Sequence, residues 1–159
     1  MVGKLVRVMA SGVFDILHPG HIFFLEEAKK LGDELIVVVA RDTTAKKLKH
    51  QPIMNEEVRL RMVSSLKPVD RAILGYEDDI FRTVEEVKPD IIALGYDQVF
   101  DEKYIEQECK KRGMNVKVVR ISKYSGSDLN GTRKIIGKII AAYSFQKEIE
   151  KQEKEVVKK

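Results

Sequence analysis

The chain alternates short, uniformly apolar runs with stretches whose apolar residues recur every three or four positions. The first run, Leu5–Ala10, reads as a buried strand that breaks at Ser11-Gly12. A helix then runs from Pro19 to about Leu31, since proline suits a first helical position whose amide hydrogen has no intrahelical partner. Phe24, Leu25, Ala28 and Leu31 fall at core spacing along it, and Gly32 stands where a C-cap would. Glu34–Ala40 holds Leu35-Ile36-Val37-Val38-Val39, too uniformly apolar for a strand with one wet face. It predicts a central strand of a parallel sheet, covered on both sides.

A polar, basic loop follows over Arg41–Pro52, then a helix capped by Asn55 that runs to Leu66. Arg71–Leu74 predicts a short strand, Asp78–Val87 a helix that stops before Pro89, and Asp90–Leu94 a further buried strand. Asp101–Lys111 reads as a more polar surface helix around Cys109, and Val116–Ile121 as the last strand. A Ser-, Gly- and Asp-rich loop over 122–130 leads to a long helix from near Gly131, with Ile135, Ile136, Ile139, Ile140 and Tyr143 as its apolar face. From Gln146 the chain is charged, and Glu150/Lys154 and Glu155/Lys159 at i,i+4 spacing predict a solvated helix. Five strands separated by helices predict an α/β domain over residues 1–145, a Rossmann-like open, doubly wound parallel five-stranded sheet, with 146–159 as a charged helical C-terminal extension. Ligands of such sheets bind beyond the carboxyl ends of the strands, where strand order switches. Segments 11–21, 41–50, 95–98 and 122–134 would all lie on that edge.

Composition narrows the classes. The length suits one domain with a real core. A net charge of +4 suits small anionic ligands. No Lys/Arg block is interleaved with aromatics, which argues against a nucleic-acid partner. A single cysteine allows no disulfide framework and no cysteine metal cluster. No apolar run is long enough for a membrane span, and the N-terminus lacks the apolar core of a signal peptide, so a cytoplasmic protein is expected.

Candidate chemistry gathers at the first strand-to-helix turn. The first amides of a helix point outward, unpaired, at the positive end of its dipole, so a strand feeding a helix builds an anion site. His18 and His21 sit at that mouth three residues apart, and Gly20 between them offers close approach to the backbone. This is a phosphate-handling arrangement with two tunable cationic donors. A metal centre on His-x-x-His would lack ligands, since only His50 and Cys109 remain as obvious partners. Asp15 reads as a structural residue of the turn.

Gly12-Val13-Phe14-Asp15-Ile16-Leu17-His18-Pro19-Gly20-His21 resembles the signature of the cytidylyltransferase-like nucleotidyltransferases: a strand, a Gly-x-Phe-Asp turn and a His-x-Gly-His helix start. Within that superfamily the chain is most similar to the archaeal FAD synthases. The likeness runs through Ala28–Asp42, Leu66–Asp70, Ala72–Gly75 and Lys88–Gln98, about two-thirds of the chain, and weakens afterwards. Three positions depart from the pattern. Val13 stands where that family usually has Thr, so a phosphate contact there must come from the backbone. The cytidylyltransferase signature Arg-Thr-x-Gly-Ile-Ser-Thr-Thr is only faintly echoed in Asn130-Gly131-Thr132-Arg133-Lys134. Two C-terminal cysteines common in archaeal FAD synthases are absent.

The resemblance implies attack by a substrate phosphate on the α-phosphorus of a nucleoside triphosphate, releasing pyrophosphate. It favours ATP and FMN as substrates, giving FAD. CTP with glycerol 3-phosphate or another small phosphorylated alcohol, and a non-catalytic nucleotide-binding module, are the alternatives. His18 and His21, with amides of the Pro19 helix, would stabilise the charge that spreads over the phosphates. Mg²⁺, or another divalent cation, would bridge phosphate oxygens without a protein cage. Lys46 and Lys49 would hold the polyphosphate or the incoming phosphate, the alternative being a solvated loop. Arg59 falls where relatives carry an arginine that grips substrate phosphate; a surface salt bridge to Glu56-Glu57 explains it almost as well. Val13, Phe14, Pro19 and Gly20 would line the nucleotide, Asp97 resembles the residue near the adenosine, and Tyr124 is a further adenosine-side candidate. Thr132 and Lys134, at the start of the last helix, would touch phosphate or simply cap. A homodimer is implied by the resemblance alone.

Overall fold

Period-two alternation along the strands sorts the interior into two layers, one on each side of a single sheet. The computed structural model describes residues 3–48 and 51–157. Its elements in chain order are β1 (Arg7–Gly12), α1 (Pro19–Lys29), β2 (Glu34–Val39), α2 (Asp42–Lys47), α3 (Glu56–Ser64), β3 (Arg71–Leu74), α4 (Ile80–Val87), β4 (Ile91–Leu94), α5 (Glu102–Lys111), β5 (Lys117–Arg120) and α6 (Thr132–Val157). The sheet is parallel throughout, in the order β3-β2-β1-β4-β5. Val8 and Ala10 of β1 with Leu35, Val37 and Val39 of β2 face α1 and α3, where Leu25, Ala28 and Val63 meet them. Met9, Ile36, Val38, Ile92 and Leu94 point the other way, onto Phe81, Val84 and Val87 of α4 and Ile105 and Cys109 of α5. The doubly wound α/β architecture expected from the alternating pattern is therefore the one observed. Strand order reverses between β1 and β4, so the crevice at the switch point opens beside the end of β1.

Boundaries differ from the sequence reading in instructive places. Strand β1 begins later and ends later than Leu5–Ala10: Ser11 and Gly12 stay in the sheet opposite Val38 and Val39, while Leu5 is exposed. Ladder bonds to a long, buried β2 override the turn propensity of Ser-Gly. The basic loop expected over 41–52 contains a helix, α2, nucleated on Asp42 in its first turn with Lys46 and Lys47 in its last, a distribution that complements the helix dipole. Gly32 is not the C-cap of α1; that position is Lys30, in ordinary right-handed geometry. Gly32 is small because a Cβ there would meet the Val6 carbonyl oxygen at 2.7 Å, where the chain doubles back onto the start of β1. Asn55 caps α3 as expected, accepting from the Val58 amide. The long helix α6 runs unbroken past residue 145, but only Ile135 and Ile136 of its apolar face are half-buried; Ile139, Ile140 and Tyr143 are exposed. No helix is long and apolar enough to cross a membrane among the described residues.

Candidate active site

The turn from β1 into α1 is held by a strained residue. Phe14 adopts φ 52°, the left-handed region that non-glycine residues rarely enter. Its ring folds back over Gly12, where a Cβ would lie 2.9 Å from the ring edge, so only glycine fits beneath it. The ring is buried and braces His21 at 5.4 Å between centroids. Phe14 therefore serves the core and the histidine, and its side chain is not open to a nucleotide as the sequence reading expected. The carbonyl of the adjacent Val13 accepts from the Arg59 guanidinium at 2.6 Å, leaving the amide for any ligand contact.

His18 is the N-cap of α1, and Pro19 follows at its first position; no side chain caps this helix. The His18 and His21 rings stack at 3.7 Å, tilted by 23°. Among the described residues, the Nδ1 atoms of both are buried with no hydrogen-bond partner. Such orphaned polar atoms are costly inside a protein, and a pair of them at an uncapped helix start implies a ligand. Burial first, and the neighbouring His18 second, bring the His21 imidazolium down to about 3. His18 is also lowered by burial, while the carboxylate of Asp97 pulls it back up. Both rings are thus neutral at pH 7 and not the cationic donors expected, because burial disfavours the charged form. Gly20 meets a different need from the one expected: a Cβ there would sit 2.9 Å from the His18 ring and 3.0 Å from the Asn130 carbonyl oxygen. Its smallness lets His18 fold over the helix start and lets the last loop close against it.

The other segments expected on this edge do converge. Gln98, after β4, donates to the Ser11 carbonyl at 3.0 Å and accepts from the Gly95 amide, stitching β1 to the 95–98 turn that carries Asp97. Arg120, at the end of β5, donates to the carbonyls of Gly95, Gln98 and Phe100, and so fixes that turn from beneath. Neither residue carried a role in the sequence reading; the only signal was that Gln98 closes the Lys88–Gln98 likeness. Tyr124 lies 5.3 Å from Phe23 of α1, and its carbonyl accepts from the Asn130 side chain. The Thr132 hydroxyl reaches the Ile16 carbonyl at a long 3.5 Å, and Lys134 is held by the Asn130 amide oxygen at 2.7 Å. Asp15 accepts from the amides of Ile53 and Met54, so it secures the segment before α3 and is structural there.

Arg59 departs most from expectation. It is fully buried, neither a surface salt bridge nor open to phosphate. Its guanidinium donates to the carbonyls of Met54 and Val13 and pairs with Asp42 at 2.7 Å. That bond holds the Asp42 carboxyl below its usual range. Arg59 ties α2 and α3 to the β1–α1 turn. Lys46 stays exposed on α2, close enough to Asp42 to act on its charge. Lys49 and His50 lie outside the described residues.

A strand feeding an uncapped helix, with two neutral imidazoles and converging loops, is a nucleotidyltransferase arrangement, and comparison with known proteins agrees. Residues 9–153 match the Cytidylyltransferase-like family. An FAD synthase from Aciduliprofundum boonei is 72% identical over 86% of this chain and 91% of its own. One from Archaeoglobus profundus is 60% identical over 86% and 87%. A crystal structure from Thermoplasma volcanium GSS1, described as a lipopolysaccharide core biosynthesis protein, superposes with a TM-score of 0.76 at 61% identity, covering 77% of this chain and all of that one. The chain belongs to the cytidylyltransferase-like family, in its FAD synthase branch.

Proposed function

We propose that the chain transfers the AMP moiety of ATP to the phosphate of FMN, giving FAD and pyrophosphate. A phosphate monoester has a second pKa of about 6, so FMN arrives as a competent nucleophile and needs no general base. Its oxygen forms a bond to the α-phosphorus as the bond to the β-phosphate bridge breaks, and the electron pair leaves on pyrophosphate. The observation that carries this reading is the stacked His18–His21 pair, neutral and unpartnered at Nδ1, at the open N-terminus of α1. Preorganised donors in a water-poor site stabilise charge where it develops. Pro19 and Gly20 present the helix start to the triphosphate, Asp97 and Tyr124 line the adenosine side, Thr132 at the start of α6 touches phosphate, and Lys46 meets the polyphosphate from α2. Mg²⁺ or another divalent cation would bind through the triphosphate oxygens and neutralise part of their charge. On this reading the enzyme works in the cytoplasm, where its nucleotide substrates are made, and as a homodimer.

The flavin is favoured over a small alcohol phosphate by the relatives above, which carry the FAD synthase name at 60–72% identity.

Pyrophosphate release, measured with Mg²⁺ while crossing ATP and CTP with FMN and glycerol 3-phosphate, tests the assignment. Turnover is expected only with ATP and FMN, and His18→Ala should lower kcat by roughly 10²–10³-fold, the loss typical of removing one charge-stabilising donor. Turnover with CTP and glycerol 3-phosphate would keep the chemistry and overturn the substrates. No turnover in any combination would favour a binding module.

A further inference from the structure

The two strands that flank the switch point stop pairing before they end. Strand β1 pairs with β4 over Val8–Ala10 opposite Ile91–Ala93, yet runs beside β2 as far as Gly12. Past Ala10 the side of β1 that faces β4 has no ladder, and both Ser11 and Gly95 are half-buried there. A carbonyl and an amide in that position need partners. One side chain supplies both. Gln98 donates from Nε2 to the Ser11 carbonyl at 3.0 Å, and its Oε1 accepts from the Gly95 amide at 2.8 Å. It carries the sheet one step further, between residues 87 positions apart in the chain. The task needs a donor and an acceptor on one group at the reach of glutamine. An ionised glutamate lacks the donor, and methionine offers only a weak acceptor.

The turn that Gln98 holds is otherwise fastened away from β1. Arg120 of β5 donates to the carbonyls of Gly95, Gln98 and Phe100, and pairs with Glu102 of α5. Among the described residues, the side-chain hydrogen bond from this turn to β1 is the one that Gln98 makes. The turn is therefore one body with β4, β5 and α5, and Gln98 fixes its distance from the end of β1. That end carries the other half of the site, since it leads through Phe14 to His18 and the uncapped start of α1. Asp97, next to Gln98, is exposed and near enough to His18 to act on its charge.

We propose that Gln98 is a positioning residue that sets the span between two half-sites for one nucleotide, the start of α1 for the triphosphate and the 95–98 turn for the adenosine. The assignment of those halves rests on the adenylyltransferase reading above. ATP is then a two-headed ligand. Binding at one end presents the other at high effective concentration, provided that the span matches. A wrong span leaves each half intact and loses the gain from joining them. With its amide committed to backbone, Gln98 acts through Asp97 and not on the reacting atoms, so its loss weakens nucleotide binding and spares the transfer step.

Titration calorimetry at pH 8 with Mg²⁺, using ATP and inorganic tripolyphosphate in turn, tests this beside the turnover assay. Tripolyphosphate fills one half-site and reports whether that half is folded. Gln98→Met should weaken ATP and raise its KM roughly tenfold, with kcat and tripolyphosphate affinity within about twofold of wild type. Gln98→Glu keeps the acceptor for Gly95 but sets a carboxylate oxygen against the Ser11 carbonyl, and should weaken ATP at least as much. Equal weakening of ATP and tripolyphosphate would overturn the proposal and make Gln98 a general support of the fold. So would a wild type that takes ATP but no tripolyphosphate at millimolar concentration, since the half-sites would not then exist. Undiminished ATP affinity in either variant, with wild type still adenylylating FMN, would overturn the span and spare the reaction. A wild type that binds no ATP would overturn both.

Discussion

The two edges of the sheet are built on opposite plans. At the amino edge the polar groups are answered. Asp90 accepts from the Arg7 amide and from Lys4, Asp70 from the Leu35 amide and Lys29, and Asp33 from the Val6 amide; Arg7 pairs with Glu34 and donates to the Val87 carbonyl. At the carboxyl edge the chain leaves a helix uncapped, two imidazole nitrogens unpaired and one phenylalanine in a left-handed conformation. The first plan closes an interior, and the second keeps donors ready for a ligand to complete. Strain and unsatisfied groups at a site of this kind are tolerated because the rest of the fold over-determines them.

Arg59 blurs that division, and the largest expected effect lies there. It sits at the carboxyl edge but is built on the closed plan, with donors committed to Met54, Val13 and Asp42. Arg59→Met leaves the Met54 and Val13 carbonyls unanswered, while the Asp42 carboxylate, 35% exposed, is re-solvated; two orphaned acceptors should together cost about 3 kcal/mol. Urea unfolding should show that loss as a lower midpoint at unchanged slope. Arg59→Lys sharpens the point, because an ammonium cannot span the three acceptors. If the lysine variant keeps its stability and loses only turnover, Arg59 grips phosphate after all and the division falls.

What could be read from the residues alone follows the same line. The strands were legible because the buried runs are uniform and the sheet is covered on both faces, as Leu35–Val39 illustrates. His18 and His21 were legible because their spacing places both at one helix mouth. Arg59 was not, since its role depends on Asp42, Met54 and Val13 meeting around it, contacts that span up to 46 positions of chain. Gly20 and Gly32 meet needs their local sequence does not show: each is small because of a neighbour distant in sequence, Asn130 for one and Val6 for the other. Gln98 and Arg120 were invisible for the same cause. Helix α6 gave a clear apolar face, but periodicity does not say whether a face is covered by its own domain or by another.

The histidines supply the next test, through pH. His21 is held at about 3 in the fold, first by burial and then by His18, against an ordinary value near 6.5 in the unfolded chain. Between those values the unfolded chain binds a proton that the folded one refuses. Stability is therefore complete above about pH 6.5 and falls as pH drops toward 3. From 1.36 kcal/mol per unit, the loss between pH 7 and pH 5 is about 2 kcal/mol from this group. The depressed carboxylates Asp42, Asp70 and Asp90 lose stability in the same direction, but only below their own unfolded values near 4, so pH 7 to 5 isolates the histidines. Thermal melting should show the decline in wild type and a flatter profile in His21→Gln. An equal decline in both would place the proton elsewhere. Bound nucleotide should reduce the decline, because triphosphate beside the ring favours the charged form.

The smallest effect asks whether the two edges are independent. Asp90→Ala removes the acceptor of the Arg7 amide and the partner of Lys4 at the amino edge. Half-exposed groups of this kind are re-solvated in part, so the loss should be about 1–2 kcal/mol, at the level of one charge-assisted hydrogen bond. The urea midpoint should fall accordingly while kcat with ATP and FMN stays within the error of wild type. Strands β1 and β4 begin beside Asp90 and end beside Ser11 and Gly95, which Gln98 clamps together. If Asp90→Ala lowered kcat, disturbance would be travelling the length of those two strands, and the clamp at Gln98 would be the place to look for it. A stable difference in midpoint with no change in turnover means that the clamp absorbs what the amino edge loses, and that the open plan of the active edge draws its rigidity from the loops that close on it.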